Sequence, residues 1–297
     1  MPATRFICPD GREISIAACL EKCQNKQRCM FLPTLRAIAS SIDRKLSEPT
    51  VTELIAGSRE TYLKKVVNYA ISPESALYAL QGQGIHGLHE AYTSGEILSE
   101  ERLRNDTTSG KFDLYGNLLD NESGILGDLK VTSSYKIMRA LGIYKKPVLT
   151  GEVYKTGAKK GQPKYRQQIF YDGVRHVMEW AVQLNYYRML LEQQGFEVNA
   201  MYIQAICRDY SLRIASERGI TRSIYIIPIN KISDHWLRRY FEHKAKAVMD
   251  AMAQKMLPAV CSARERWNDR KCRDYCDVGN ECPYGARVRQ EQLNKAG

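Results

Sequence analysis

The alternation of apolar and polar positions divides the chain into helical and strand-like stretches. Ser15–Cys23 (SIAACLEKC) reads as a short helix with Cys19 and Cys23 on one face, because residues four apart stack on a helix. Pro33-Thr34 opens a helix predicted to reach about Leu46. A long helical stretch follows from about Arg59 to Ala91, with a break expected at Gly82-Gln83-Gly84. Strand-like runs come next at Lys111–Tyr115 and Ile125–Thr132, separated by the turn material Gly116-Asn117 and Asn121-Glu122-Ser123-Gly124. A strong helical pattern runs from about Gly173 to Gln194 and stops at Gly195, a C-terminal cap. Ala200–Cys207 and Ser223–Ile229 are rich in β-formers and have the length of buried strands, and Asp234 to about Met256 is the last long helix. Helices, then strands, then helix, two strands and helix predict a mixed α/β domain.

Charge narrows the class of partner. The 297 residues hold 44 Lys and Arg against 33 Asp and Glu, a formal charge of +11. Such a balance favours a polyanionic partner, nucleic acid first, with simple solubility as the plainer alternative. The N-terminal MPATRFICPDGR has no apolar signal-peptide core, and no apolar run approaches the roughly 20 residues of a membrane-spanning helix. The expectation is a cytoplasmic protein of a bacterial or phage-infected cell, with no membrane partner.

Cysteine spacing adds a second layer. Cys8, Cys19, Cys23 and Cys29 read C-x10-C-x3-C-x5-C, and Cys261, Cys272, Cys276 and Cys282 repeat the same three gaps. Core packing imposes no such spacing, whereas thiolates around a metal do. In a cytoplasmic chain a metal is expected ahead of disulfides. The expected segments are therefore 1–33 and 259–297, each with four cysteines, around a core at 34–258. Cys207, in the apolar run Met201–Cys207, reads as a buried small hydrophobe.

Candidate chemistry lies between Gly110 and Lys130 (GKFDLYGNLLDNESGILGDLK). Asp113 sits in one strand-like run, and period-2 alternation puts Asp128 and Lys130 on one face of the next. Carboxylate oxygens on adjacent strands suit Mg²⁺ or Mn²⁺, and a neighbouring ammonium suits a phosphodiester. Upstream stands a glycine-flanked histidine pair, His86 and His89; downstream, Gln183 and Tyr187 share a helical face. Each piece alone has a plain structural reading: surface Asp and Lys, a hydrogen-bonded histidine, or a helix buried through Val177, Trp180, Ala181, Leu184 and Met189.

Taken in that order, the pieces resemble the RecB-like and CRISPR-associated exonuclease branch of the PD-(D/E)xK nuclease superfamily, phage relatives included. The resemblance spans about Gly82 to Tyr187 and extends to the C-terminal cysteines. It implies a restriction-endonuclease-like core, a mixed β-sheet flanked by helices, with cysteine-rich metal-binding ends. His86, Asp113 and Asp128 would bind Mg or Mn, Lys130 would be catalytic, and Gln183 and Tyr187 would support the lysine and the DNA. Asp128 stands where glutamate is more usual, and His89 is the competing histidine, one turn from His86. The implied activity is metal-dependent DNA exonuclease, on single strands or duplex ends, in recombination, repair or phage DNA processing.

Relatives build a [4Fe–4S] cluster from three C-terminal cysteines and one upstream. That wiring selects Cys272, Cys276 and Cys282 with Cys29, leaving Cys8, Cys19, Cys23 and Cys261 for a second site. The duplicated spacing supports the other wiring, two local four-cysteine sites, for which zinc is the simplest occupant. The basic stretch 155–166, with Lys155, Lys159, Lys160, Lys164 and Arg166 and no acidic residue, reads as a loop that is either plain solvated surface or, placed between the lysine motif and the Gln/Tyr helix, a contact to the DNA backbone. Two rival functions share these features: a catalytically silent DNA-binding protein with structural cysteine sites, and a redox or metal sensor. Self-association is compatible with any of the three.

Overall fold

The computed structural model describes residues 3–25, 27–42, 48–120, 122–175 and 177–296. Arg5–Ile7 (β1) and Glu13–Ser15 (β2) form a hairpin whose turn carries Cys8, with Gly11 at φ 82°, a conformation glycine adopts freely. Ser15 caps Ile16–Glu21 (α1) by accepting from the Ala18 N–H. That helix ends two residues short of Cys23, so Cys19 and Cys23 do not share a helical face as expected. Leu32–Ile42 (α2) follows; its expected extension to Leu46 lies outside the described residues. A capping box of Thr50 and Glu53 starts Val51–Ala56 (α3), and Ser58–Val66 (α4) succeeds it across Gly57.

The long helical stretch breaks elsewhere than predicted. Val67 turns extended, Ala70–Ile71 (β3) pairs in parallel with β1, and Pro73 begins Pro73–Ala91 (α5) at a position where its missing N–H costs nothing. The new helix runs unbroken through Gly82 and Gly84. A Cβ at either would meet open space, so these glycines are only weak helix formers.

The central sheet comes next. Ile97–Ser99 (β4), Arg102–Arg104 (β5), Ser109–Lys111 (β6), Leu114–Gly116 (β7) and Ile125–Thr132 (β8) are short strands, with β5 and β6 forming their own antiparallel pair. Ser134–Ala140 (α6) leads to Ile143–Val153 (β9) and Pro163–Tyr171 (β10), an antiparallel ribbon outside the main sheet. The stretch 155–166 is thus not one loop. Residues 155–162 are the ribbon's tip, and Lys164 and Arg166 belong to β10.

Met178–Gln193 (α7) begins five residues later than its pattern suggested. Asp172 and Arg175 instead donate backbone N–H groups to Gly142 and Ala140, closing the ribbon's base onto α6. Ala200–Cys207 (β11), Arg213–Glu217 (α8), Ile224–Pro228 (β12) and Asp234–Gln254 (α9) complete the core, with Arg270–Asp274 (α10) and Pro283–Ala296 (α11) beyond it.

The architecture is mixed α/β. A five-stranded sheet in the order β12-β11-β8-β7-β4 is flanked by helices, with β8 and β11 parallel and the other pairs antiparallel. Helix α7 lies in the crossover from β8 to β11 and is buried nearly all round, from Trp180 to Leu191. It forms one apolar core with Leu126, Ile203, Ala205, Ile227 and Phe241. A second core joins Phe6 of the head to Leu35, Ile38, Leu63, Tyr69 and Val278. Cys207 is buried, as expected. Among the described residues no helix is long and apolar enough to cross a membrane.

Candidate active site

Strand β8 carries the site. Buried from Ile125 to Leu129, it nonetheless holds Asp128, a charge that only a partner makes tolerable there. Lys130, two residues on and on the same face, supplies it: its Nζ lies 2.8 Å from one Asp128 oxygen and 2.6 Å from the other. The contact to Oδ2 is off the hydrogen-bonding direction, and this buried oxygen keeps a lone pair without a hydrogen-bond partner. Burial works against the lysine's charge. The Asp128 and Asp113 carboxylates outweigh it and hold the ammonium more firmly protonated than usual.

Asp113 is not inside a strand. It occupies the gap between β6 and β7, where Phe112 turns into the core, and its Oδ2 accepts from the Leu129 N–H at 2.6 Å. Burial first, and the Asp128 charge second, push its pKa well above the usual carboxylate range. His86 on α5 points at it, with Nδ1 3.5 Å from Asp113 Oδ1 and 2.8 Å from Glu100 Oε1. Glu100 is the residue that sequence reasoning missed. It sits between β4 and β5 at φ 57°, a left-handed conformation that costs a non-glycine residue roughly 1–2 kcal/mol. Its backbone N–H donates to the Asp113 carbonyl at 3.0 Å, and its carboxylate also pairs with Lys111. Burial alone would raise it, but hydrogen bonds from Lys111 and His86 prevail and keep it ionised.

His86, Glu100 and Asp113 offer ligand atoms that all lie within 4.8 Å of one another, the one such group among the described residues. Asp128 stands outside this group, closed on Lys130, so the third residue to converge with His86 and Asp113 is Glu100, where the sequence expectation had Asp128. His89 is not part of the group. It lines a cavity of about 270 Å³ with Tyr92, Leu114, Gly127, Asp128 and Tyr202, and its buried Nδ1 has no partner.

Gln183 and Tyr187 do share a face of α7, with Gln183 Nε2 donating to the Tyr187 hydroxyl at 3.4 Å. Tyr187 is 2% exposed, and burial raises its pKa and keeps the phenol protonated beside Lys130 and the two aspartates. Space for its ring comes from Gly110, where a Cβ would overlap the Tyr187 ring and come within 2.9 Å of a Val51 methyl. Gly110→Ala should therefore displace Tyr187 and cost about 1–3 kcal/mol by overpacking. Denaturant unfolding checks this, and an unchanged midpoint would contradict it.

The cysteines fall into two separate places. Cys261, Cys272, Cys276 and Cys282 line one small cavity with Arg59, Glu60, Leu63 and Val278, so Cys261, rather than Cys29, accompanies the C-terminal trio. Gly57 makes room: a Cβ there would sit 2.8 Å from the Cys261 sulfur. Burial raises Cys261, Cys272 and Cys276, the last to about 12. Beneath them Glu60 bridges Lys64 at 3.1 Å and Lys271 at 2.5 Å, tying α4 to the C-terminal segment. At the other end, burial raises the pKa of Cys8 and Cys19, and both also feel the nearby thiols of Cys23 and Cys29. Arg28 braces this loop by donating to the carbonyls of Cys19, Leu20 and Glu21. Among the described residues, neither set brings three sulfurs within 4.8 Å of one another.

No protein-family model and no curated protein matches the chain.

Proposed function

We propose that the chain is a metal-dependent DNA exonuclease with a PD-(D/E)xK core of the RecB-like kind, acting in the cytoplasm in recombination, repair or phage DNA processing. The observation that carries this reading is the convergence of His86, Glu100 and Asp113 beside the Asp128–Lys130 pair. Two carboxylates and an imidazole suit Mg²⁺ or Mn²⁺, and Asp113, raised by burial and then by the Asp128 charge, is a group whose ionised form a divalent ion would stabilise. A divalent ion held by His86, Glu100 and Asp113 would polarise a phosphodiester and acidify a water. Lys130 places its ammonium where charge builds on the phosphate oxygens, and Asp128 keeps that lysine charged and aimed. Gln183 would offer its amide to the strand being cut, with the buried Tyr187 phenol behind it as its hydrogen-bond partner. The two four-cysteine sets are read as two metal sites, iron–sulfur or zinc.

The direct test is hydrolysis of linear DNA by the purified protein with Mg²⁺ or Mn²⁺ and without either. Absence of divalent-dependent cleavage from every DNA form would leave the silent DNA-binding reading.

Proton competition gives an independent check. Because Asp113 is raised, its protonated form favours the metal-free fold. That contribution is full below the ordinary carboxylate pKa and is lost as pH rises through the raised value. An ion needs the ionised form, so Mn²⁺ affinity should weaken from about pH 8 to about pH 5.5, with protons released on binding. Titration calorimetry in buffers of different ionisation enthalpy reads both quantities. Equal affinity at the two pH values would contradict the assignment of Asp113 as a ligand.

A further inference from the structure

The β9–β10 ribbon has no structural reason to extend as far as it does. Its base is packed, with Ile143 4% exposed and Ile169 against the core, but beyond Lys145 most side chains on both faces are open to solvent. Eleven residues of β9 carry it about 35 Å from that base. A two-stranded hairpin with neither face covered is marginal by itself in water, so its exposed length calls for a partner.

Charge says what the partner is. Residues 143–171 hold seven basic side chains (Lys145, Lys146, Lys155, Lys159, Lys160, Lys164 and Arg166) and a single acidic one, Glu152, which Lys164 pairs at 3.0 Å. The ribbon therefore carries more than half of the chain's net positive charge of +11. The basic surface also continues inward. Between the ribbon's base and α6 lies a cleft of about 670 Å³ lined by Tyr135, Arg139, Tyr144, Lys146, Asp172 and Arg175. One turn back along α6, Lys136 lies near Glu179 as well as Lys130 and Arg139; burial lowers its pKa, Glu179 opposes that, and the Lys130 and Arg139 charges add to the lowering. Positive groups thus run from the β8 lysine through Lys136 and Arg139 to Lys146 and out along the arm.

We propose that this ribbon is an arm that lies in the major groove of duplex DNA and holds it beside the active site, with the Arg139–Lys146 cleft leading one strand toward Lys130. The final step alone rests on the nuclease reading. Three features favour a B-form duplex over a single strand or RNA. A two-stranded ribbon fits a groove about 12 Å wide, whereas the deep, narrow major groove of duplex RNA excludes it. Single-strand binders offer free aromatic rings on which bases stack. Here Tyr144 is stacked on Phe170 with Lys146 over its ring, and Tyr154 sits under Lys159 and Lys164. The exposed Tyr165 pairs across from Leu149, on the opposite face from Lys146, which is set against Gln168. The cleft-side face instead presents Lys146 and Arg166 to phosphates.

The experiment measures binding without divalent ion, so hydrolysis does not enter. Full-length protein and the variant K146A/K155A/K159A/K160A/R166A are titrated with a blunt DNA duplex of about 30 bp, the matching single strand and an RNA duplex across a salt series. The proposal expects DNA duplex to bind tightest. It expects the variant to lose at least tenfold in duplex affinity, and the log–log salt slope to fall by about four to five, close to 0.9 per lost phosphate contact. Replacing the four lysines by arginine should restore binding, which separates lost charge from a damaged ribbon. Unchanged duplex affinity and slope would overturn the arm. So would a preference for the single strand or for RNA, or failure of the arginine variant to bind. A protein that binds as described yet never hydrolyses DNA would sink the nuclease reading and leave the arm standing.

Discussion

Lys130→Ala is expected to slow Mg²⁺- or Mn²⁺-dependent DNA degradation by roughly a hundredfold or more, without loss of DNA binding. Among the described residues the lysine is the one cation held at Asp128, 2.6–2.8 Å from its two oxygens, and its removal leaves that buried carboxylate without this partner. The fold should weaken too, because an unpaired buried charge costs about 3–5 kcal/mol, so activity is compared at a temperature where circular dichroism shows the variant folded. Asp113→Asn should remove activity as completely, with the loss appearing as weakened metal binding. Glu100→Gln tests the proposed ligand that the sequence did not indicate, and should raise the metal concentration needed for half-maximal rate. His86→Ala should behave like Glu100→Gln, and His89→Ala should not, because His89 is not one of the three converging groups, although it lines a cavity with Asp128. Full activity in a folded Lys130→Ala protein would remove the catalytic assignment. Wild-type metal dependence in Glu100→Gln would return the third position to Asp128.

The parts legible in sequence are those where burial imposes a period. Ala200–Cys207 alternates buried and half-buried residues along its whole length, and the strand falls on the predicted residues. Ile125–Thr132 was likewise legible as a buried run, and period 2 correctly placed Asp128 and Lys130 together. The ribbon was not legible for the opposite reason. With both faces wet there is no alternation to read, and Lys, Gly and Gln at its tip mimic an unstructured loop. Gly82 and Gly84 looked like a break because propensity argues one there, yet a mostly half-exposed helix tolerates two weak formers. Glu100 gave no signal at all. It lies in a two-residue link between short strands, and a ligand reaching the site through a left-handed backbone has no fixed spacing to Asp113.

Cys272→Ser should empty the C-terminal site while leaving the N-terminal one loaded, and Cys29→Ser should do the reverse, each variant keeping about half of the bound metal. The reason is the fold's sorting of the thiols. Cys261, Cys272, Cys276 and Cys282 share one cavity, and Cys29 instead lies among Cys8, Cys19 and Cys23. Four thiolates at about 2.3 Å from one zinc would stand roughly 3.8 Å apart, and among the described residues no three sulfurs of either set come within 4.8 Å of one another, so either occupant would have to draw them together. Visible absorption and bound iron in anaerobically purified protein would identify an iron–sulfur cluster. The C-terminal loss should also be the more damaging to the α/β core. Its cavity is walled by Arg59 and Glu60 of α4, and Glu60, 7% exposed between Lys64 and Lys271, couples that helix to the last forty residues. Thermal unfolding of Cys272→Ser should therefore begin at a lower temperature than that of Cys29→Ser. Iron and zinc analysis of both variants decides the wiring. If Cys29→Ser bleaches the C-terminal site, Cys29 and the trio share one cluster after all; colourless protein with stoichiometric zinc would retain the two sites with zinc as their occupant.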